Sequence, residues 1–492
     1  MNDTVEPGTS PTVPAASDMR GDLTQGPIPR TLLVFAVPAL LTNILQSLSG
    51  TVNAIWVGRL IGEEALAATA NANIVMFLVA SMAFGFGMAA TVLIGQRWGA
   101  RNIDGARRTF GTAVGFCAVL MALIAGIGFA LAPGLLRLLA TPEGAYPLAL
   151  VYLRLIFLSM PFGMISIILS MGLRGTGDAK TPLIFMGVTV LIDAVLNPVF
   201  IAGLGPLPAM GIAGSATATI VASMASFVAM VIYVYRRDLP LRLRGSELRY
   251  LVPARAELGF IISKGLPMGA QMVVMSAAGI ILVGLVNREG LMTTAAYGAA
   301  MQLFTYIQMP AMAIGGAVSA MAAQYIGANK WGDLHAVTRA GLMLNVAFTG
   351  VMTALLLLFD RPVLVLFLGP DSPAVEIARH IQFLASWNFV IFGVLMIYTA
   401  TMRAAGAVWV PLLIMALAVF PARLGFYYAT YGWLGADALW LSYPFSAMSG
   451  LILGWLFYYR WNWRGEMPVS PHVAEEGSHS DALPAGRMTP DL

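Results

Sequence analysis

Apolar residues run through this chain in long blocks broken by short polar turns. One set lies near 31–57, 65–95, 109–135, 147–172, 181–203 and 210–235, and a second near 258–286, 293–323, 336–360, 377–401, 408–430 and 434–460. Each block exceeds the roughly 20 residues that a helix needs to cross hydrocarbon. Lipid offers no water to backbone groups, so the pattern predicts spanning helices that satisfy their own hydrogen bonds. Composition agrees, with 58% hydrophobic and 11% charged residues and a mean hydropathy of +0.79. A soluble protein carries about a quarter charged residues, so a water-facing fold is excluded. The reading is an all-α integral membrane protein of twelve transmembrane helices.

The basic residues alternate along the chain. Counting from an inner N-terminus, inner segments hold Arg97, Arg101, Arg107, Arg108, Arg174, Lys180, Lys330, Arg339, Arg403, Arg460 and Arg464, and the central connection adds seven more between Arg236 and Lys264. Outer segments hold Arg59, Arg137, Arg288, Arg361 and Arg379. This asymmetry predicts that both termini lie in the cytoplasm. Residues 1–27 lack the apolar core of a signal peptide and read, like 461–492, as a disordered tail. The organisation expected is a six-helix lobe over 28–235, a basic linker over 236–257 and a second six-helix lobe over 258–460. The single Cys117 excludes an internal disulfide framework.

The two sets of blocks are related. Pro38 matches Pro267, Gln96-x-x-Gly99-Ala100 matches Gln324-x-x-Gly327-Ala328, and Leu173-Arg174-x-x-Gly177-x-x-x-x-Pro182-Leu183 matches Met402-Arg403-x-x-Gly406-x-x-x-x-Pro411-Leu412, all at an offset of 228–229 residues. Six spans per half make the repeats parallel, the arrangement of secondary transporters whose sites lie between halves. A duplicated membrane scaffold or receptor without transport is the rival reading.

One acid interrupts the apolar pattern. In Leu191-Ile192-Asp193-Ala194-Val195-Leu196-Asn197-Pro198, Asp193 sits within the fifth span, with Asn197 one turn on and on the same face. A charge at that depth costs a few kcal/mol on insertion scales and marks a functional site or a buried tie between helices. In the first span, Asn43, Gln46, Gly50 and Asn53 form one stripe at helical spacing, either facing a cavity or bonding between helices. Thr219 in the sixth span reads both ways as well, and Gln302 and Tyr306 share a face of the eighth. Arg423 aligns within one residue of Asp193 under the repeat. It either faces Asp193 across the cleft or snorkels toward Tyr428 and Trp433. Arg154 reads as snorkelling.

Several of these strings, in order, resemble the multidrug and toxic compound extrusion (MATE) family over residues 28–460, in particular its DinF-like branch. They are Val57-Gly58-Arg59-Leu60, the two Gln-x-x-Gly-Ala turns, Arg174-Gly-x-Gly177-Asp178, Leu196-Asn197-Pro198-x-Phe200-Ile201 and Gly211-x-x-Gly214-Ser-Ala-x-Ala218-Thr219. The resemblance implies two six-helix lobes around a V-shaped cleft, and proton- or sodium-driven export of varied, often cationic amphipathic, organic compounds. The chain also departs from the family. Where many relatives carry an acid in the first helix, it has Asn53, and the Asn-x-x-x-Asp-Pro of helix five is reversed to Asp193-x-x-x-Asn197-Pro198. No carboxylate lies between Gln271 and Gly284 in helix seven. One acid among amides favours protons over sodium.

The expected ion-coupling set is therefore Asp193, Asn197, Asn53 and Thr219, and the expected substrate contacts are Asn43, Gln46, Gln302, Tyr306 and Arg423. The 29 Met residues suit a cleft for varied ligands. The chain lacks a phosphate-binding Gly-x-x-x-x-Gly-Lys-Ser/Thr loop, and its four His residues show no metal-ligand spacing. Enzymatic chemistry, a cofactor, a bound metal and nucleic acid are accordingly not expected. Expected partners are the substrates, membrane lipids and a coupling H+ or Na+, with a monomer sufficient. A lipid-linked-sugar flippase of the same superfamily is the alternative transporter reading.

Overall fold

The computed structural model describes residues 21–139, 141–203, 208–370, 372–461 and 463. The described chain is helical, and twelve helical stretches are long and apolar enough to cross a membrane. The first lobe contains α1 (Ile28–Leu60), α2 (Glu63–Gly99), α3 (Ile103–Leu138), α4 (Tyr146–Gly175), α5 (Lys180–Ala202) and α6 (Ile212–Arg236). The second contains α7 (Arg255–Arg288), α8 (Leu291–Gly327), α9 (Leu334–Leu358), the short α10 (Asp360–Leu368), α11 (Ala374–Ala385), α12 (Trp387–Ala404), α13 (Trp409–Leu417), α14 (Arg423–Leu434) and α15 (Asp437–Arg460).

Two blocks that read as single spans are interrupted. Ser386 separates α11 from α12, and a π-helical turn over Ala418–Ala422 separates α13 from α14. Pro421 lies in that turn. Proline removes an N–H and crowds the preceding turn, so the ladder there widens by one residue.

The lobes meet where α2 packs on α7 and α1 on α8, contacts that the repeat exchanges with one another. Small residues allow the approach. Gly85 of α2 faces Gly265 and Gly269 of α7, and a Cβ there would run into the Gly265 carbonyl and the Gly269 nitrogen. At the basic end the contact is crossed: Gly99 abuts the Gln324 carbonyl, and Gly327 abuts the Gln96 carbonyl.

The same turns seal this end with hydrogen bonds. Gln96 Nε2 donates to the Ala404 carbonyl at 2.7 Å, and Gln324 Nε2 donates to the Gly175 carbonyl at 3.0 Å. Ala404 and Gly175 end equivalent helices of opposite lobes, so the repeated sequence builds a two-fold clasp. Glu257 at the start of α7 adds an ion pair between lobes, its Oε1 lying 3.1 Å from Arg97 and 3.4 Å from Arg108. The lobes of the V-shaped architecture are thus joined at the basic end.

The segment before α1 departs from the expected tail. Within Gly21–Pro27, Leu23 is buried, its N–H donates to Gln324 Oε1 at 2.8 Å, and Lys330 Nζ donates to the Thr24 carbonyl at 3.2 Å. Asp22 orders the turn by accepting from the Thr24 N–H and hydroxyl. Residues 1–20 lie outside the described residues. At the other end Trp463 is buried, its indole donating to the Tyr458 carbonyl, and 464–492 lie outside the described residues. The central connection also folds back, with Gly245–Leu251 forming a 3-10 helix on α3, held by Arg107 to Glu247 at 2.7 Å.

The Gly85 contact yields a stability test. Gly85→Leu is expected to cost about 1–3 kcal/mol through overpacking, read as a lowered Tm in detergent. Gly259→Leu, at an open site on α7, is expected to leave Tm unchanged or raise it.

Candidate transport site

Pro198 shapes the acid's surroundings. It has no N–H to offer the carbonyl four residues back, so the α5 ladder is already open at Ala194. One residue earlier, Asn197 Nδ2 donates to the Asp193 carbonyl at 3.1 Å. Asn197 Oδ1, on a fully buried residue, accepts no hydrogen bond among the described residues.

Asp193 itself is 4% exposed. Its Oδ1 accepts from the Thr219 hydroxyl of α6 at 3.1 Å, and the same hydroxyl lies 3.2 Å from the Ser215 carbonyl. One proton thus faces two acceptors, and an ionised carboxylate is the stronger. One turn below, the Ser215 hydroxyl donates to Asn53 Oδ1 at 2.7 Å, and Asn53 Nδ2 reaches the Tyr152 hydroxyl at 3.4 Å. Four helices of the first lobe, α1, α4, α5 and α6, therefore converge on a single acid.

All four residues expected to handle the ion, Asp193, Asn197, Asn53 and Thr219, fall within this network. Ser215 and Tyr152 join it without having been anticipated. Ser215 was findable, since it precedes Thr219 by one helical turn. Tyr152 was not, because it lies in an apolar stretch and reaches the site only through helix packing.

The residues expected to touch substrate are more dispersed. Asn43 is half-buried, while Gln46, Gln302 and Tyr306 are exposed. Among the described residues, no hydrogen bond links them to Asp193 or to each other. Arg423 forms no ion pair with Asp193 among the described residues and does not reach outward toward Trp433 either. Its Nε and Nη2 donate to Ser446 Oγ at 3.0 and 2.8 Å, and its guanidinium lies 4.5 Å from the Tyr443 ring centroid. Tyr443 in turn shares a 2.7 Å hydrogen bond with Tyr297. Each half of the repeat thus carries its own charge in its own polar cluster. Arg154 stacks over Phe129 at 5.1 Å.

Comparison with known proteins accounts for this architecture. The MatE family model matches the chain twice, over residues 38–199 and 267–429, once within each lobe. The chain belongs to the MATE family of multidrug efflux transporters. It is 36% identical over 439 residues to the probable multidrug resistance protein YoeA of Bacillus subtilis, covering 88% of this chain and 94% of that protein. It is also similar to a FAD transporter of Shewanella oneidensis, with 24% identity and coverage of 89% and 96%. A multidrug resistance MATE transporter of the MOP superfamily, solved in an outward-facing conformation, superimposes with a TM-score of 0.81 at 22% identity, covering 89% of this chain and 97% of that one.

The Asn53–Ser215 link can be measured. A double-mutant cycle with Asn53→Ala and Ser215→Ala, followed by detergent unfolding, is expected to give a coupling of about 0.6–1.7 kcal/mol, the span found for hydrogen bonds between membrane helices. Zero coupling would separate α1 from the acid's network.

Proposed function

We propose that this protein is a cation-coupled antiporter that exports organic compounds by alternating access, with the proton as coupling ion. The observation that carries this reading is the isolation of one carboxyl, Asp193, among neutral donors and acceptors in the first lobe. Two carboxylates would suit sodium better. A single carboxyl with hydroxyl and amide neighbours suits a proton, which needs one acceptor oxygen and no coordination shell.

Loading would act through Thr219. While Asp193 is ionised, the Thr219 hydroxyl serves its carboxylate; once Asp193 is neutral, the hydroxyl is free to return to the Ser215 carbonyl 3.2 Å away. That exchange loosens α5 from α6 and links protonation to the shape of the first lobe. Antiport follows if ion and substrate favour different states, because a ligand without state preference shifts no equilibrium. A potential of about 150 mV supplies ~3.5 kcal/mol per charge, enough to sustain a gradient of a few hundredfold. The basic end is proposed to face the cytoplasm of a bacterial inner membrane, following the asymmetry of Lys and Arg. Asn43, Gln46, Gln302 and Tyr306 are proposed to contact cationic amphipathic substrates in the cleft.

In proteoliposomes, an imposed pH gradient is expected to drive substrate uptake, whereas a sodium gradient alone leaves it at background. Asp193→Asn is expected to lose the pH-driven component while retaining substrate binding. Uptake driven by sodium but not by pH would reverse the ion assignment, and undiminished pH-driven uptake in the variant would remove Asp193 from it.

The seal at the basic end gives a second test. Gln96→Ala with Gln324→Ala removes both amide donors, and a single cysteine placed at Ala404 is expected to become several-fold more reactive toward a water-soluble maleimide. Unchanged labelling would mean that the clasp does not hold this end closed.

Arg423 supports a second reading, transport of an anionic compound such as a lipid-linked sugar. Its guanidinium has no carboxylate partner among the described residues, and one relative bears the name FAD transporter. Uptake of an anionic substrate that Arg423→Gln abolishes would favour it.

A further inference from the structure

On the basic end of the first lobe, a cavity of about 710 Å3 opens between the chain entering α1, the α4–α5 turn and the segment after α6. This is within the range of about 300–1,000 Å3 typical of small-molecule sites. Arg30, Lys180 and Arg237 line it. All three are exposed, and none forms an ion pair among the described residues. The acid among the lining residues is Asp178, whose oxygens already accept from the Lys180 N–H, the Thr181 N–H and the Thr181 hydroxyl; of the acids flanking the lining, Asp22 accepts from Thr24 and Asp238 pairs with Arg242 and Arg244. Positive charge is therefore in excess around the cavity.

Further along α1, the lining turns apolar through Val34, Phe35 and Pro38. Val34 also heads an exposed apolar stripe that continues along α1 through Val37, Leu41, Ile44 and Leu48. These steps of three and four residues keep the stripe on one helical face. A ligand matching both features carries an anion at one end and a long hydrocarbon chain at the other.

We infer that this cavity holds the phosphate headgroup of an anionic phospholipid from the leaflet on the basic side, with an acyl chain along the exposed stripe of α1. Basic pockets among helix ends are suited to such headgroups. Free phosphate shares the anion chemistry but leaves the stripe unexplained. Occupancy also bears on the clasp. Gly21 and Leu23 form part of the cavity wall, and both are held by Gln324 of the other lobe through the Gly21 carbonyl and the Leu23 N–H. A bound headgroup thus braces the segment that bridges the lobes when the basic end is closed.

Native mass spectrometry of the full chain in detergent tests this, with phosphatidylglycerol, chain-matched phosphatidylcholine or inorganic phosphate added separately. One retained phosphatidylglycerol is expected, preferred over phosphatidylcholine by roughly tenfold or more, and bound roughly a hundredfold more weakly after Arg30→Gln, Lys180→Gln and Arg237→Gln together. Neutralising Arg236, Arg249 and Arg255, which lie outside the cavity, is expected to keep the adduct. Arg30→Lys with Arg237→Lys is expected to keep it too, and Arg30→Gln alone to weaken it several-fold if the triple variant does not fold. Equal retention by the wild type and the cavity variants, equal retention of both lipids, or an adduct of inorganic phosphate without lipid would each overturn the assignment.

Discussion

Two side-chain amides, Gln96 and Gln324, set the conformation from which everything else about this molecule follows. Each reaches across the lobe boundary to a backbone carbonyl at the end of the other lobe's helix, Ala404 or Gly175. The last carbonyls of a helix lack intrahelical donors, so each amide satisfies a group that would otherwise need water. The close approach of Gly99 and Gly327 makes this reach possible, since a side chain at either position would collide with the facing glutamine's backbone. The repeat supplies both halves of this clasp, one amide from each lobe, and the alternating cleft proposed above would require both to release.

The lobes share their scaffold and differ in their polar content. In the first, a lone carboxyl draws in α1, α4, α5 and α6 through Thr219, Ser215, Asn53 and Tyr152. In the second, a guanidinium is held by Ser446 and faces the ring of Tyr443. Hydrocarbon makes unsatisfied polar groups expensive, so each charge is surrounded by its own donors or acceptors and is not left for the other lobe to pair. For Asp193 and Arg423 this means that neither depends on a partner in the opposite lobe, whereas Glu257 pairs with Arg97 and Arg108 across the boundary at the basic end.

The chain before α1 and the connection after α6 add asymmetry at the basic end. Gly21–Pro27 fills a position beside the clasp and is tied to Gln324 and Lys330. The central connection is drawn onto α3 by Arg107–Glu247 and by Tyr250 donating to Asp104 at 2.8 Å. By composition the first reads as part of a disordered tail and the second as a basic linker, because their order rests on a few long-range contacts and not on an apolar period.

The amino-acid sequence by itself determined the twelve spans, their duplication and the place of the acid within the fifth of them. These depend on the length and periodicity of apolar runs, which hydrocarbon enforces locally on each helix. It also placed Asp193 and Asn197 on one face, since a four-residue spacing fixes that within any helix. What the tertiary structure alone decided was which helices meet. Asn53 and Ser215 lie 162 positions apart, Arg423 turns to Ser446 and not across the cleft, and Leu23 packs under a glutamine 301 positions away. Such contacts depend on helix rotation and crossing within the bundle, set by many small packing choices at once, and no local pattern along the chain records them.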